Sequence, residues 1–182
     1  MKIRIIAGRY RKLLIEAPQN ELTHPMGERI RNALFNIVGS EIDNAQVLDA
    51  FSGTGALGLE ALSRGASHAT FIERDREAQT ILARNIASLG AGDQTKVVNS
   101  SVSQWLDTVK DQRFDVILAD PPYDDTQFST VTRLFALLKP NGLMVLSYPG
   151  RGEAPTEAGV VVVDNRSYGT AALTFYRLDN TL

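Results

Sequence analysis

Between Gln46 and Ser147 the chain switches repeatedly between two kinds of segment, and this alternation limits the folds open to it more than any other feature. Short apolar runs, Val47-Leu48-Asp49-Ala50, Ala69 to Glu73, Lys96-Val97-Val98, Phe114 to Ala119 and Leu143 to Ser147, read as strands. Stretches with apolar residues at helical spacing separate them: Ala56 to Arg64, Arg76 to Leu89 and Val102 to Val109. A fourth helix is marked by Phe128, Val131, Leu134, Phe135 and Leu138, with Lys139-Pro140-Asn141-Gly142 as its stop. A strand that is followed each time by a helix re-enters the sheet in the same direction, so the expected core is a parallel sheet covered on both faces. After Pro149 the rule changes. Gly150 to Pro155 reads as a loop, and Val160 to Val163 and Ala171 to Arg177 read as strands with no helix between them, hence an antiparallel pair. The expected fold class is α/β, with a Rossmann-like, mostly parallel sheet that ends in two antiparallel strands.

Residues 1–40 precede this scheme and are expected to form a small extension, with the catalytic body at 41–182. Ile3 to Ala7 and Lys12 to Ile15 flank Gly8-Arg9-Tyr10-Arg11, which suggests a hairpin, and Pro18-Gln19-Asn20 then breaks the pattern. From Glu28 to Val38, Ile30, Ala33, Leu34, Ile37 and Val38 make one apolar helix face, with Arg29, Arg31 and Asn32 expected on the other. A chain of 182 residues is the size of one ordinary domain. Its net charge of −2 is unevenly spread: Lys2, Arg4, Arg9, Arg11 and Lys12 give the first 15 residues +5, leaving −7 on the rest. A cationic arm on an acidic body suits a polyanion such as RNA, although short basic termini are often only solvated.

The apolar runs are of strand length, far below the roughly 20 residues a membrane span needs. The first residues alternate charge and apolarity instead of forming a secretory signal. Cysteine is absent, which excludes disulfides and fits a reducing cytoplasm, and with only His24 and His68 no metal site is expected.

In an open parallel sheet ligands bind beyond the carboxyl ends of the strands. Here those ends are polar: Asp49-Ala50-Phe51-Ser52-Gly53-Thr54-Gly55, Glu73-Arg74-Asp75, Asn99-Ser100-Ser101 and Asp120-Pro121-Pro122-Tyr123. Gly53-Thr54-Gly55-Ala56-Leu57-Gly58 matches the dinucleotide pattern G-x-G-x-x-G, with Glu73 about the right distance downstream to hold a ribose, and taken alone this suggests NAD. Two features argue otherwise. Asp49 stands where an apolar run usually leads into a pyrophosphate turn, and no lysine or arginine occurs from Val47 to Ser63. Asp49, Glu73, Asp75 and Asp120 would crowd one edge, which suits a ligand with positive charge and no phosphate. S-adenosylmethionine is such a ligand. Gly53 and Gly55 would let the backbone approach it closely, and Glu73 would accept from both ribose hydroxyls.

Asp120-Pro121-Pro122-Tyr123 follows the apolar strand Phe114 to Ala119. Two prolines fix successive φ angles and remove two backbone donors, so the loop offers acceptors. An exocyclic amine on a base is a poor nucleophile, because its lone pair is delocalised into the ring. Hydrogen bonds from its N–H groups to the Asp120 carboxylate and the Pro121 carbonyl would favour a pyramidal nitrogen, and Tyr123 would stack on the base. A base inside a helix cannot reach such a loop, so the substrate must be single-stranded or flipped out. These residues alone do not separate guanine from adenine, nor RNA from DNA. A non-catalytic RNA-binding module and a small NAD-dependent oxidoreductase are the readings from other classes.

The chain resembles class I methyltransferases, and more narrowly the bacterial RsmD family. The resemblance rests on Arg4-Ile5-Ile6-Ala7-Gly8, on Arg29-Ile30-Arg31-Asn32-Ala33-Leu34-Phe35-Asn36-Ile37, on Leu48 to Gly58, on Phe71-Ile72-Glu73-Arg74-Asp75, on Asp120-Pro121-Pro122-Tyr123 and on Tyr168-Gly169. It implies methyl transfer from S-adenosylmethionine to guanine N2 in small-subunit (16S) ribosomal RNA, in an assembling subunit and by a monomer. It also implies that the hairpin grips RNA and that the helix carrying Arg29 closes over the cofactor. The cofactor set it suggests is Asp49, Phe51, Ser52, Gly53, Gly55, Glu73, Arg74, Ser100, Ser101 and Arg29. The sequence departs from the family at Thr23-His24-Pro25-Met26-Gly27-Glu28, and at Asn99-Ser100-Ser101, where many relatives place an aspartate against the adenine amine.

Overall fold

The computed structural model describes residues 1–19 and 26–180. Its centre is a seven-stranded sheet in the order β5-β4-β3-β6-β7-β9-β8, where β3 is Gln46–Asp49, β4 His68–Glu73, β5 Thr95–Asn99, β6 Phe114–Ala119, β7 Leu138–Pro149, β8 Val160–Tyr168 and β9 Ala171–Leu178. The first five strands in that order run parallel, and β9 and β8 add the antiparallel pair. The expected α/β class and its antiparallel finish are thus present. The helices α2 (Ala56–Ser63), α3 (Arg76–Ser88), α4 (Val102–Thr108) and α5 (Phe128–Leu134) fill the crossovers.

Because side chains alternate across a strand, each strand feeds two cores. Val47, Phe71, Leu118 and Val145 point to one face and pack with Leu59 and Leu62 of α2 and Leu82 and Ile86 of α3. Leu48, Ile72, Ile117 and Leu146 point to the other and pack with Trp105 of α4 and Val131 and Leu134 of α5. The strand order reverses between β3 and β6, which places a crevice at their carboxyl ends.

The N-terminal hairpin pairs β1 (Lys2–Arg4) with β2 (Leu14–Glu16) antiparallel, so its strands are shorter and its connection longer than the sequence suggested. The cause is competition for the backbone donors. The amides of Ile6 and Ala7 donate to the Glu60 carboxylate at 2.9 and 3.2 Å, and Arg9 donates to the Ser63 carbonyl at 2.7 Å. At Gly8, with φ of +84°, an added β-carbon would sit 1.8 Å from that same carbonyl oxygen, so only glycine permits the contact.

Helix α1 spans Glu28–Val38, as the periodicity predicts. One of its residues departs from expectation. Arg31, expected on the polar face, is 1% exposed. It donates to the Arg4 carbonyl at 2.6 Å, and its Nε lies 3.5 Å from Glu60 Oε1, while Arg64 holds the second Glu60 oxygen at 3.0 Å. Burial pulls the Arg31 guanidinium below its ordinary pKa and Glu60 opposes this. Ile3, Ile5 and Ile15 of the hairpin and Leu34, Phe35 and Val38 of α1 join the same core as α2 and α3.

Two boundaries also differ. The fourth crossover helix stops at Leu134 and tightens into a 3-10 turn, and β7 begins at Leu138, running through Lys139-Pro140-Asn141-Gly142 with a register shift opposite Phe114 and Val116. Val161, Val162 and Val163 are exposed, because β8 is an edge strand. Asn20 and Thr23-His24-Pro25 lie outside the described residues. Among the described residues no helix is long and apolar enough to cross a membrane.

Removing one partner of a buried ion pair leaves the other charge uncompensated and typically costs roughly 3–5 kcal/mol. Glu60→Gln strands Arg31 and lowers the free energy of unfolding by an amount of that order in urea titrations. A conservative change in the exposed Lys2–Glu16 pair shifts it by less than about 1 kcal/mol.

Candidate active site

The pleat that builds the core also builds the site. Two residues beyond the core positions Val47, Phe71, Leu118 and Val145, and therefore on the same face, come Asp49, Glu73, Asp120 and Ser147. They stand at the ends of β3, β4, β6 and β7, around the crevice where the strand order reverses.

Asp49 is 1% exposed. Its Oδ2 accepts from the Gly58 amide at 2.9 Å, and its Oδ1 is buried with no hydrogen-bond partner among the described residues. Ser52 donates to the Asp49 carbonyl at 2.7 Å, which tightens the turn out of β3. Glu73 takes the Gly53 amide at 2.6 Å on one oxygen and the Asp75 amide at 2.8 Å on the other, so each oxygen keeps a further lone pair.

The three glycines have different causes. Gly53, at φ +54°, faces open space. At Gly55, φ +90°, a β-carbon would lie 2.5 Å from Leu82, and at Gly58 it would lie 2.3 Å from Phe71, so these two serve packing between α2, α3 and β4.

In the loop after β6, Asp120 is partly exposed, Pro121 is buried, and Pro122 and Tyr123 are exposed. Tyr123 Oη lies 2.9 Å from the hydroxyl of Ser147, which is 1% exposed. Burial pushes the Asp49 carboxyl up to about 7, with the Asp120 and Glu73 charges adding to it against the Gly58 hydrogen bond. Burial likewise pushes Asp120 up to about 6, with a hydrogen bond from Ser147 holding it back. The Tyr123 phenol is raised, mainly by burial.

The remaining expected residues divide. Phe51 is partly buried and packs against the second core. Ser101 caps α4, accepting from Gln104 at 3.2 Å, and Ser100 donates to the Ser101 carbonyl at 2.9 Å, so both hydroxyls have local partners. Asp75 caps α3 through Ala78 at 2.8 Å. Arg74 reaches across the mouth to within 3.9 Å of Asp125. Arg29 is exposed on α1, and among the described residues no hydrogen bond or ion pair joins it to the strand ends.

The five N-terminal cations do not form one free cluster. Lys2 pairs with Glu16 at 3.4 Å and Arg4 with Glu28 at 3.3 Å, and Arg9 lies over the Tyr10 ring and bonds its hydroxyl and Gln94. Arg11 and Lys12 are exposed without a charge partner among the described residues, beside the exposed Leu13 and Leu14.

Three residues that position the site were not singled out by sequence reasoning for that role. Asn85, read as part of an apolar helix face, is buried and donates to the carbonyls of Glu16 and Thr54 at 2.9 and 2.8 Å, tying the hairpin to the glycine loop. Glu60 is an acid in an otherwise apolar helix, a signal that was readable. Ser147 merely ends an apolar strand and gives none. A groove of about 450 Å³ lies elsewhere, between the hairpin and α3, and is lined by Lys2, Glu16, Glu77 and Arg84. Glu16 neutralises both cations there, and the groove contains none of the strand-end carboxylates, so the crevice at β3 and β6 is the better candidate.

The sheet order and the acid-rimmed crevice define a class I methyltransferase fold. Residues 3–177 match the family model described as Conserved hypothetical protein 95, and the chain belongs to that family, the RsmD family. It is 43% identical over 122 residues to "Ribosomal RNA small subunit methyltransferase D" of Escherichia coli K12, an alignment that covers 67% of this chain and 61% of that protein. Over 151 residues it is 35% identical to the Haemophilus influenzae protein of the same name, covering 79% of this chain and 77% of that one. The solved structure of Escherichia coli yhhF, provisionally assigned as a methyltransferase, superposes with a TM-score of 0.88 at 32% identity and full coverage of both chains.

The raised carboxyls make a pH test. Asp49 and Asp120 bind protons more tightly when folded than at their ordinary value of 3.8, so their contribution to stability is greatest below about pH 4 and is lost as pH rises toward 7. Asp49→Asn removes most of that fall, and at pH 8 the ligand-free variant is more stable than the parent by roughly 1–3 kcal/mol in urea titrations. Equal slopes in the two proteins would mean that Asp49 does not take up the proton.

Proposed function

We propose that this chain is an S-adenosylmethionine-dependent enzyme that methylates the exocyclic N2 of a guanine in small-subunit ribosomal RNA. One observation carries the reading: at a single crevice the buried Asp49 and the partly buried Glu73, without a cationic partner among the described residues, stand beside the Asp120-Pro121-Pro122-Tyr123 loop. The names of the relatives support ribosomal RNA as the acceptor.

The residues present fit the cofactor. Asp49 offers a buried oxygen with no partner among the described residues, which suits an ammonium group, and each Glu73 oxygen keeps a lone pair for a ribose hydroxyl. Phe51, Ser52, Gly53, Gly55, Ser100 and Ser101 complete the lining, with Arg74 at the mouth and Arg29 on the helix that closes over it. S-adenosylmethionine supplies an electrophilic methyl group on sulfonium. Asp120 and the Pro121 carbonyl accept from the two N–H groups of the base amine and turn its lone pair inward, and Tyr123 stacks on the ring. Once methylated, the nitrogen is acidic and passes a proton to an Asp120 oxygen, whose elevated pKa of about 6 suits it to receive one.

In this reading residues 1–40 form the RNA-contacting extension, through Lys2, Arg4, Arg9, Arg11 and Lys12, and residues 41–182 form the catalytic part. The enzyme works as a cytoplasmic monomer on an assembling small subunit.

Labelled methyl transfer to naked 16S RNA, small subunits and DNA, followed by mass-spectrometric mapping, tests the assignment. N2-methylguanine in ribosomal RNA is expected, and N6-methyladenine or labelled DNA would overturn it. Asp120→Ala lowers kcat by roughly 100-fold or more while calorimetry still detects S-adenosylmethionine. Binding of NAD instead would sink the cofactor assignment. Arg11→Ala with Lys12→Ala weakens RNA binding for all sequences alike and reduces the salt slope by about 1–2. An unchanged slope would place the RNA elsewhere.

A further inference from the structure

We infer that Ser147 is a positioning residue for methyl transfer, its one hydroxyl fixing the Tyr123 ring and orienting the Asp120 carboxylate at the same time. This rests on the assignment of Asp120 and Tyr123 to the acceptor base made above.

Three observations on two neighbouring strands lead to it. The parallel register pairs Ala119 with Leu146, so the next residues along, Asp120 and Ser147, lie side by side where β6 gives way to the loop. Ser147 is 1% exposed in a strand whose other inward positions are apolar, and a buried hydroxyl there needs a polar reason. Its Oγ lies 2.9 Å from Tyr123 Oη, and the strand register sets the same hydroxyl beside the Asp120 carboxyl, whose ionised form it favours.

Proton accounting gives the chain a direction. An ionised carboxylate can only accept, so Ser147 donates its single proton to Asp120, and its oxygen is then left to accept from the Tyr123 hydroxyl. The ring and the carboxylate are thereby held in one geometry while Asp120 is charged. When Asp120 takes a proton, it donates to Ser147 Oγ, Ser147 donates to Tyr123 Oη, and the hydrogen-bond direction reverses without loss of a bond. The other ionisable groups facing Asp120 are Asp49 from β3, with Glu73 from β4 behind it, and Tyr123 itself. Burial opposes ionisation of Asp120, which leaves Ser147 as a neutral donor that favours it.

The test uses Ser147→Ala and Ser147→Thr in the full chain. Carbon-13 NMR of labelled aspartate, with Asp120→Asn to assign the signal, follows the Asp120 carboxyl through a pH titration without any acceptor. Its midpoint moves up in Ser147→Ala and returns in Ser147→Thr, and an unmoved midpoint overturns the inference even if the acceptor assigned above is wrong. With small subunits as acceptor, Ser147→Ala lowers kcat roughly tenfold and shifts the acidic limb of its pH profile upward. The KM for S-adenosylmethionine stays unchanged, since that pocket is not touched. A loss confined to that KM, or a kcat equal to the parent's across the profile, also overturns it. Ser147→Thr separates these results from misfolding, because it retains the hydroxyl on a β-branched side chain suited to a strand.

Discussion

Glu60 has no exposed surface, yet four groups converge on it: the amides of Ile6 and Ala7 and the Arg64 guanidinium as hydrogen-bond donors, and the Arg31 guanidinium as an ion-pair partner. The amides come from the hairpin connection, Arg31 from α1 and Arg64 from the end of α2, so one carboxylate joins every element that precedes the sheet to the first helix of the body. Desolvating an acid this completely is costly unless its oxygens are satisfied, and here both are. The N-terminal segment therefore cannot be detached without stripping Glu60 of three of these four partners. This explains why Ile3, Ile5 and Ile15 sit in the same hydrophobic cluster as the sheet residues. Charge decides where the segment docks, and apolar burial then supplies most of the attraction.

That arrangement also shows what the sequence could and could not express. Strand and helix alternation is a local signal, and it correctly implied the parallel sheet, the antiparallel finish and the strand-end position of Asp49, Glu73 and Asp120. Arg31 looked solvent-facing because helical periodicity knows only the helix itself. Its partner is 29 positions away, on an element that the periodicity of α1 does not contain. The short strands of the hairpin have the same origin, since the amides that would have extended the ladder bond to Glu60. Gly8 could be recognised as a special position, but the Ser63 carbonyl it accommodates could not.

Ser147 is the harder case. A serine closing an apolar strand has no local signature. It acquires a role only through the β6–β7 register, which a register shift at the start of β7 helps to set. Local pattern thus specified the residues that line the crevice along single strands. The residues that fix their orientation, Ser147 beside Asp120 and Asn85 between the hairpin and Thr54, depend on contacts between elements and had to be read from the folded chain.

The glycine motif shows why a spacing alone does not name a ligand. In a dinucleotide site the glycines bring backbone amides up to a pyrophosphate at the helix N-terminus. Here two of those amides are already taken by carboxylates, Gly53 by Glu73 and Gly58 by Asp49. A phosphate entering this turn would meet negative charge in place of free donors. Two of the three glycines are required by Leu82 and Phe71 whatever is bound, so the motif would persist in a site of either polarity. What selects the ligand is the acids that flank it. Burial first and the neighbouring acids second raise the Asp49 carboxyl, and both costs are relieved by a cation and aggravated by an anion, so the crevice discriminates by charge before any shape is read.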